Sequence, residues 1–185
     1  MADFMRSFEI TIKNEDGYSN DPNDVGGETY KGISRRFNPS WEGWSIINKL
    51  KKSNLENYEI LQNKVKSFYE FMYWDRIQGD LIPNQEIANE LFDNAVNLGV
   101  HKSVLFLQES LNLLNRNQKN YGDILEDGLI GNKTLWTLKK YLSIDEPSIL
   151  IKVMNILQGN HYINYMRKSP VQERFARGWL RRVKL

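Results

Sequence analysis

The chain contains no cysteine and only two histidines, His101 and His161, among its 185 residues. The absence of cysteine excludes disulfide bonds, thiolate zinc sites and cysteine nucleophiles. A histidine-dependent serine hydrolase, or a metal site built from several histidines, would have to use one of these two residues. We therefore expect carboxylates to carry any chemistry.

Long apolar runs are missing as well. No segment approaches the roughly 18 consecutive apolar residues of a membrane-spanning helix, so we expect no membrane insertion. The first six residues lack the basic, then apolar, then small-residue order of a signal peptide, which predicts synthesis in the cytoplasm without one. Hydrophobic residues make up 41% of the chain and charged residues 26%, as in folded globular proteins.

Positive charge is concentrated at one end of the sequence. Residues 167–185 hold seven Lys/Arg and one Glu, a net charge of +6, although the whole chain carries +2. Such a segment fits an anionic polymer such as nucleic acid or cell-wall material. It fits equally a solvated helix face that bridges to the acidic body. No nucleic-acid-binding motif accompanies it, so nucleic acid is not the expected partner.

Helical periodicity of apolar residues dominates the chain, and strand-like alternation is scarce. The fold class is therefore predicted to be mainly α, with an acidic, glycine-rich loop or short hairpin around Gly26 and Gly27 after the first helix. We place a lobe boundary at Gly99, giving lobes 1–98 and 99–185. Predicted helices cover about residues 3–15, 44–52, 55–74, 86–98, 103–114, 133–142 and 147–165, and a last one begins near 170.

Five carboxylates fall within residues 15–29. Their spacing does not match a calcium loop of the EF-hand type in either possible register. An ordinary surface loop, whose Asp and Asn side chains cap turns, remains one interpretation. The other is catalysis, because helical spacing puts Glu15 beside Phe8 and Ile12, where a carboxyl partly removed from water keeps its proton more readily.

A protonated glutamic acid is the general acid of glycoside hydrolysis, and the reaction needs a second group on the other face of the sugar. Asp24, Asp21 and Glu28 are the available carboxylates, with Asp24 preferred, and Thr29 could hold a water. This chemistry requires no metal and no organic cofactor.

Further residues could bind a sugar chain. Tyrosine rings can stack on sugar faces, glycines allow close approach of the backbone, and amides bond to hydroxyl groups. Each type also has an ordinary structural role, in the core, in turns or in capping. The candidates for substrate binding are Tyr18, Gly26, Gly27, Tyr30, Tyr73, Asn94 and Asn97.

These residues belong to several motifs in a recognisable order. Glu15-Asp16-Gly17-Tyr18, Asp21-Pro22-Asn23-Asp24-Val25-Gly26-Gly27-Glu28-Thr29 and Lys31-Gly32-Ile33-Ser34 resemble the signature of family-108 glycoside hydrolases, with Asp16 where that family usually has glycine. The resemblance continues through Tyr73-Trp74-Asp75, residues 92–99, residues 127–134 and Gly178-Trp179-Leu180-Arg181-Arg182-Val183, so it spans essentially the whole chain.

The resemblance implies a lysozyme-like N-acetylmuramidase of the phage endolysin or secretion-activator type. It implies that Glu15 is the catalytic glutamate and that the second half is a peptidoglycan-binding domain built around the turn at 127–134. Peptidoglycan glycan strands are then the expected partner, and the chain is expected to be a monomer. It would act on the cell wall after holin-type or dedicated export. The alternative is a non-catalytic peptidoglycan-binding or secretion-accessory protein on the same fold.

Overall fold

A computed structural model describes residues 1–15, 17–20, 26–50 and 54–184. The described chain is mainly helical, which confirms the predicted fold class. The α-helices are α1 (Phe4–Thr11), α2 (Gly43–Ile47), α3 (Glu59–Tyr69), α4 (Gln85–Leu98), α5 (Val100–Leu113), α6 (Asn132–Leu142), α7 (Pro147–Lys168) and α8 (Ala176–Arg182).

Helix α1 is shorter than the sequence predicts. Asp3 caps it by accepting a hydrogen bond from the backbone N–H of Arg6 at 3.0 Å, as N-cap carboxylates do. After Thr11 the chain tightens into a 3₁₀ turn, Ile12–Asn14, and the N–H of Glu15 donates to the carbonyl of Ile12 at 3.1 Å. Glu15 therefore follows the helix in extended backbone and does not lie on the helical stripe itself.

A three-stranded antiparallel sheet follows α1. It consists of β1 (Tyr18–Ser19), β2 (Thr29–Tyr30) and β3 (Ile33–Ser34), and it is ordered β1-β2-β3. Strands β1 and β2 are antiparallel and pair Tyr18 with Tyr30. Gly26 and Gly27, around which a short hairpin is predicted, lie between these two strands in the sequence. The turn between β2 and β3 contains Gly32 at φ +75°, a left-handed conformation that favours glycine.

An aromatic cluster fills the centre of the first half. Its rings come from α1, from α3 and its continuation, and from α4, with neighbouring centroids 5.5 to 6.4 Å apart. The sequence predicts one helix over 55–74, whereas α3 gives way to a π-helical turn, Glu70–Trp74, whose last residue is buried. The cluster comprises Phe4, Phe8, Tyr69, Tyr73, Trp74 and Phe92.

Helix α4 is the central element, because α1, α5 and α7 all pack against it. It ends at Gly99, whose φ of +88° redirects the chain, and α5 begins immediately afterwards at Val100. The two predicted lobes therefore adjoin through α4 and α5. The boundary at Gly99 remains a prediction.

In the second half, buried Gln108 on α5 organises the turn at 127–134. Its side-chain amide donates to Asp127 and to the carbonyl of Leu129, and its oxygen accepts from the N–H of Gly128 at 2.9 Å. The last helix differs from prediction, because a 3₁₀ segment, Pro170–Phe175, precedes the short α8. No helix within the described ranges has the length and apolar character to cross a membrane.

Candidate active site

Glu15 lies where α1, the sheet and α3 meet, and its side chain is 18% exposed. A Cβ added to Gly32 would lie 2.7 Å from Glu15 Oε2 and 2.7 Å from the hydroxyl of Tyr69. The backbone at Gly32 thus approaches the carboxyl as closely as a residue without a side chain allows. That hydroxyl also donates to the carbonyl of Lys31 at 2.8 Å, which ties α3 to the same turn.

The two tyrosines nearest this carboxyl have perturbed pKa values. Burial raises the pKa of Tyr69, and the negative charge of Glu15 raises it further. The pKa of Tyr73 is raised for the same two reasons, again with burial first. Both phenols therefore remain neutral hydrogen-bonding groups beside the carboxyl at ordinary pH.

A residue from the far end of the chain completes the environment of Glu15. Arg182, the last residue of α8, donates from Nη2 to Glu15 Oε1 at 3.0 Å and from Nη1 to Asp93 Oδ1 at 3.2 Å. The three side chains are 13 to 18% exposed, so this ion-pair network is mostly shielded from water. We call Glu15, Asp93 and Arg182 the carboxylate–arginine triad.

The two carboxylates of the triad also affect the pKa of Arg182. Burial opposes the charge of Arg182, but Asp93 and Glu15 outweigh this and raise the pKa of the guanidinium. Arg182 therefore stays charged. Arg182 contacts Oε1 of Glu15, whereas Oε2 lies on the side of Gly32 and the Tyr69 hydroxyl.

Glu28 is the one candidate for the second catalytic carboxylate that lies within the described residues. It precedes β2, forms a salt bridge with Arg35 at 3.0 Å and accepts a hydrogen bond from the hydroxyl of Tyr18 at 2.8 Å. These contacts give it a role in holding the sheet together. Asp21 and Asp24, like Asp16, lie outside the described residues.

The loop residues next to Glu28 have identifiable roles in the turn. Thr29 donates from its hydroxyl to the carbonyl of Gly27 at 3.1 Å, and the carbonyl of Gly26 accepts from Ser34 at 2.6 Å. Gly27 has φ +62°, and no atom of the described residues lies within 4 Å of a Cβ placed on it. A ligand could therefore approach the backbone at Gly27 without meeting a side chain.

Two of the predicted substrate-binding side chains are placed in the interior. Tyr30 is 0% exposed and its hydroxyl accepts from Gln62, so its ring is a core residue and offers no face to a sugar. Asn94 is also 0% exposed and donates to Glu90 at 2.9 Å. Because neither side chain reaches the surface, neither can contact a substrate directly, contrary to the prediction from the sequence.

Tyr73 and Asn97, two more of these side chains, lie nearer the surface. Tyr73 is partly buried against Phe92 and near Glu15. Asn97 accepts a hydrogen bond from the hydroxyl of Tyr162 at 2.6 Å and lines a cavity that opens beside the triad. Asn97 and Asp93 lie on the same face of α4 because they are four residues apart. This spacing can be read from the sequence, although the prediction included Asn97 and Asn94 and left out Asp93.

This cavity has a volume of about 690 Å³. One wall comes from Ile10, Lys13 and Asn14 at the end of α1, and another from the C-terminal segment 174–184. Its size is within the range of ligand-binding sites. In the part of the chain that the structure describes, no three His, Asp or Glu side chains cluster as a metal site would require.

Comparison with known proteins gives each half of the chain a family. Residues 8–99 match Glycosyl hydrolase 108 and residues 102–184 match a Predicted Peptidoglycan domain. No protein of curated function shows significant similarity to the chain.

Among solved structures, the fold is similar to that of Brucella abortus SagA, with a TM-score of 0.63, 22% sequence identity, and coverage of 97% of this chain and 88% of that one. At this identity the likeness concerns the fold. Glu15 and Asp93 lie within the first matched segment, and Arg182 lies within the second. The chain therefore belongs to the glycosyl hydrolase 108 family and carries a C-terminal predicted peptidoglycan domain.

Proposed function

We propose that this protein is a muramidase, which cleaves the β-1,4 bond between N-acetylmuramic acid and N-acetylglucosamine in peptidoglycan. Glu15 is its general acid. The observation that carries the proposal is the position of this carboxyl, mostly shielded from water against the Gly32 backbone and paired with Arg182, which lines a cavity of ligand size. The family matches support a glycoside hydrolase that acts on peptidoglycan.

In this reaction Glu15 gives its proton to the glycosidic oxygen as the bond from that oxygen to the anomeric carbon breaks. Positive charge then develops on the sugar ring, and a carboxylate on the opposite face stabilises it or activates water. Asp24 is our first choice for that carboxylate, with Asp21 and Glu28 as alternatives. Thr29 is proposed to hold the attacking water. Water finally adds to the anomeric carbon and leaves a reducing muramic acid end.

The ion pair of Glu15 imposes one condition on this mechanism. Arg182 contacts Oε1 at 3.0 Å, so we propose that the bound glycan weakens this contact as Glu15 donates its proton. The same ion pair also favours a second candidate function, a protein that binds peptidoglycan without cleaving it. In that case the carboxylate–arginine triad would be a permanent structural link.

Mass spectrometry of muropeptides distinguishes the two functions. Purified sacculi are digested with wild type, with Glu15→Gln, and with Glu9→Gln, which removes an exposed carboxylate of α1 as a matched control. Loss of the general acid is expected to reduce turnover by about a hundredfold to ten-thousandfold. Glu9→Gln should be as active as wild type.

The products identify the reaction class. Reducing muramic acid ends support a muramidase, anhydro ends indicate a lytic transglycosylase, and released peptides indicate an amidase. If wild type sediments with sacculi but releases nothing, the non-catalytic alternative is correct. Undiminished turnover by a folded Glu15→Gln variant would refute the assignment of Glu15.

A further inference from the structure

The cavity beside Glu15 carries an unusual balance of charge. Five of its lining residues are cationic, and Asp93 is the one carboxylate among the described residues that line it. Arg182 is already paired with Asp93 and Glu15. The other four cations are exposed and make no salt bridge within the described ranges; they are Lys13, Arg174, Arg181 and Lys184.

The segment that carries Arg174, Arg181 and Lys184 packs on α7, which fixes its backbone beside the cavity. The ring of Trp179 stacks on that of Tyr162 with centroids 5.4 Å apart, and the backbone N–H of Lys184 donates to Asn155. Val183 lies close to Gly159, where a Cβ would be 3.5 Å from it. The cationic wall is therefore built by the fold, which reduces the ordering cost of binding an anion.

The wall also contains aromatic surface. Trp179 and Phe175 line the cavity between the cations, and the guanidinium of Arg174 lies 4.6 Å from the Phe175 ring. Aromatic rings suit the apolar faces of sugars, and arginines suit carboxylates, which they bind through two parallel hydrogen bonds. A ligand that offers both a sugar ring and a carboxylate matches this combination.

We propose that this cavity is a carboxylate subsite, in which Arg174, Arg181 and Lys184 of the second half bind the carboxylates attached to a glycan strand. The inference rests on the proposed function in taking peptidoglycan as the ligand. In that polymer the carboxylates come from the peptide stems, or from the lactyl group of muramic acid where the stem has been removed. The subsite also gives the substrate a means of releasing Glu15, because an incoming carboxylate competes with Glu15 for Arg182.

The test is a binding measurement in which cleavage plays no part, so all variants are made in a Glu15→Gln background. Arg181→Gln/Lys184→Gln removes two exposed cations from the cavity. Lys139→Gln/Lys140→Gln removes two exposed cations from α6 and is the charge-matched control. The ligands are peptide-bearing strands from Gram-negative sacculi, which lack teichoic acid, the same strands after amidase removal of the peptides, and uncharged chito-oligosaccharides.

We expect the cavity variant to bind peptide-bearing strands about tenfold or more weakly, the cost of losing charged hydrogen bonds. Its affinity for chito-oligosaccharides should not change, and the control variant should match its parent on every ligand. A loss that persists on stripped strands shows that the subsite also accepts the lactyl carboxylate exposed by the amidase, and one that disappears assigns it to the peptide alone.

Three results would overturn the proposal: equal affinity of parent and cavity variant for peptide-bearing strands, equal weakening on charged and neutral polymers, or a parent that binds chito-oligosaccharides as tightly as peptide-bearing strands. A failure of the muramidase assignment appears separately, as absence of product from wild type on sacculi.

Discussion

At the scale of single residues, Gly32 is the point where the backbone shapes the site. It combines a φ of +75° with a carboxyl and a phenol on the side where a Cβ would stand. Glycine is needed there for two separate reasons, conformation and space. Gly27 needs glycine for its conformation, because its φ is +62°, and among the described residues no atom lies within 4 Å of its Cβ position.

Substituting alanine at each position separates the two reasons. Gly27→Ala should lower the free energy of unfolding by about 1 kcal/mol, the cost of a left-handed conformation. Gly32→Ala should lower it by about 3 kcal/mol, since crowding of a packed site is added to the same cost. Urea denaturation measures both, and turnover on sacculi should fall for Gly32→Ala because the added methyl group would crowd Glu15. Equal destabilisation would mean that the contact with Glu15 and Tyr69 does not constrain this position.

At the scale of secondary structure, the sequence predicts helices well where one face is continuously buried. Helices α4 and α6 begin within one residue of the predicted positions, and α7 begins as predicted at its first-turn proline. Some misses fall on irregular helical turns, at 12–14, 70–74 and 170–175. Others are helix ends: α2 stops at Ile47, α3 starts only at Glu59, and α5 starts already at Val100. Apolar spacing cannot distinguish α from 3₁₀ or π turns, because tertiary packing selects among them.

The same limit applies to the site. Helical spacing predicts apolar neighbours for Glu15, whereas the structure places it beside Gly32, Tyr69 and Arg182. Its ion pair joins residues 167 positions apart, a distance at which no spacing rule operates. Asn94 shows that residue type alone does not predict exposure. It is a polar residue predicted to bind substrate, yet it is buried and donates a hydrogen bond to Glu90.

Where α4 packs against α7, Glu90 makes the stability of this interface depend on pH. It is 6% exposed, and burial raises its pKa although hydrogen bonds from Asn155 and Asn94 and the charge of Lys184 oppose this. The folded state therefore binds the proton more tightly than the unfolded chain. Stability from this group is complete below the unfolded value of 4.5 and is lost as pH rises through the higher folded value.

Glu90→Gln removes this dependence while keeping the shape and an acceptor for Asn94. The variant should be more stable than wild type at pH 7, and the difference should shrink as the pH falls toward 4.5. Thermal unfolding at a series of pH values measures it, with exposed Glu9→Gln as the control that shows no such trend. A variant that is less stable than wild type at every pH would show that hydrogen bonds of the carboxylate outweigh its burial.

At the scale of the whole molecule, the sequence leaves two interpretations of the basic C-terminal segment open: a bridge to the acidic body and a binding surface for an anionic polymer. Its residues divide between the two. Arg182 bridges to the acidic body through Glu15 and Asp93. Arg174, Arg181 and Lys184, from the same segment, line a cavity and are proposed to bind anionic polymer. One short segment thus links the two family-matched halves and supplies charge to the proposed substrate site.

The bridging role predicts that Arg182 stabilises the molecule as a unit. Arg182→Gln leaves two mostly buried carboxylates without their cation, and should lower the free energy of unfolding by about 2 kcal/mol, less than for a fully buried pair because some solvent reaches the triad. Arg182→Lys keeps the charge but not the two-pronged contact, so it should lose about half as much. Arg181→Gln, one residue away and exposed, should stay within about 0.5 kcal/mol of wild type.

A double-mutant cycle then attributes this loss to a specific contact. In Glu15→Gln, Arg182 has already lost one of its two ionised partners, so replacing it should cost less than it does in wild type. The two substitutions should therefore be coupled by about 1 kcal/mol, as expected for neighbours in one charged network. Strict additivity in urea denaturation would instead mean that Arg182 stabilises the protein through Asp93 alone, and that Glu15 is free to donate its proton without moving the C-terminal segment.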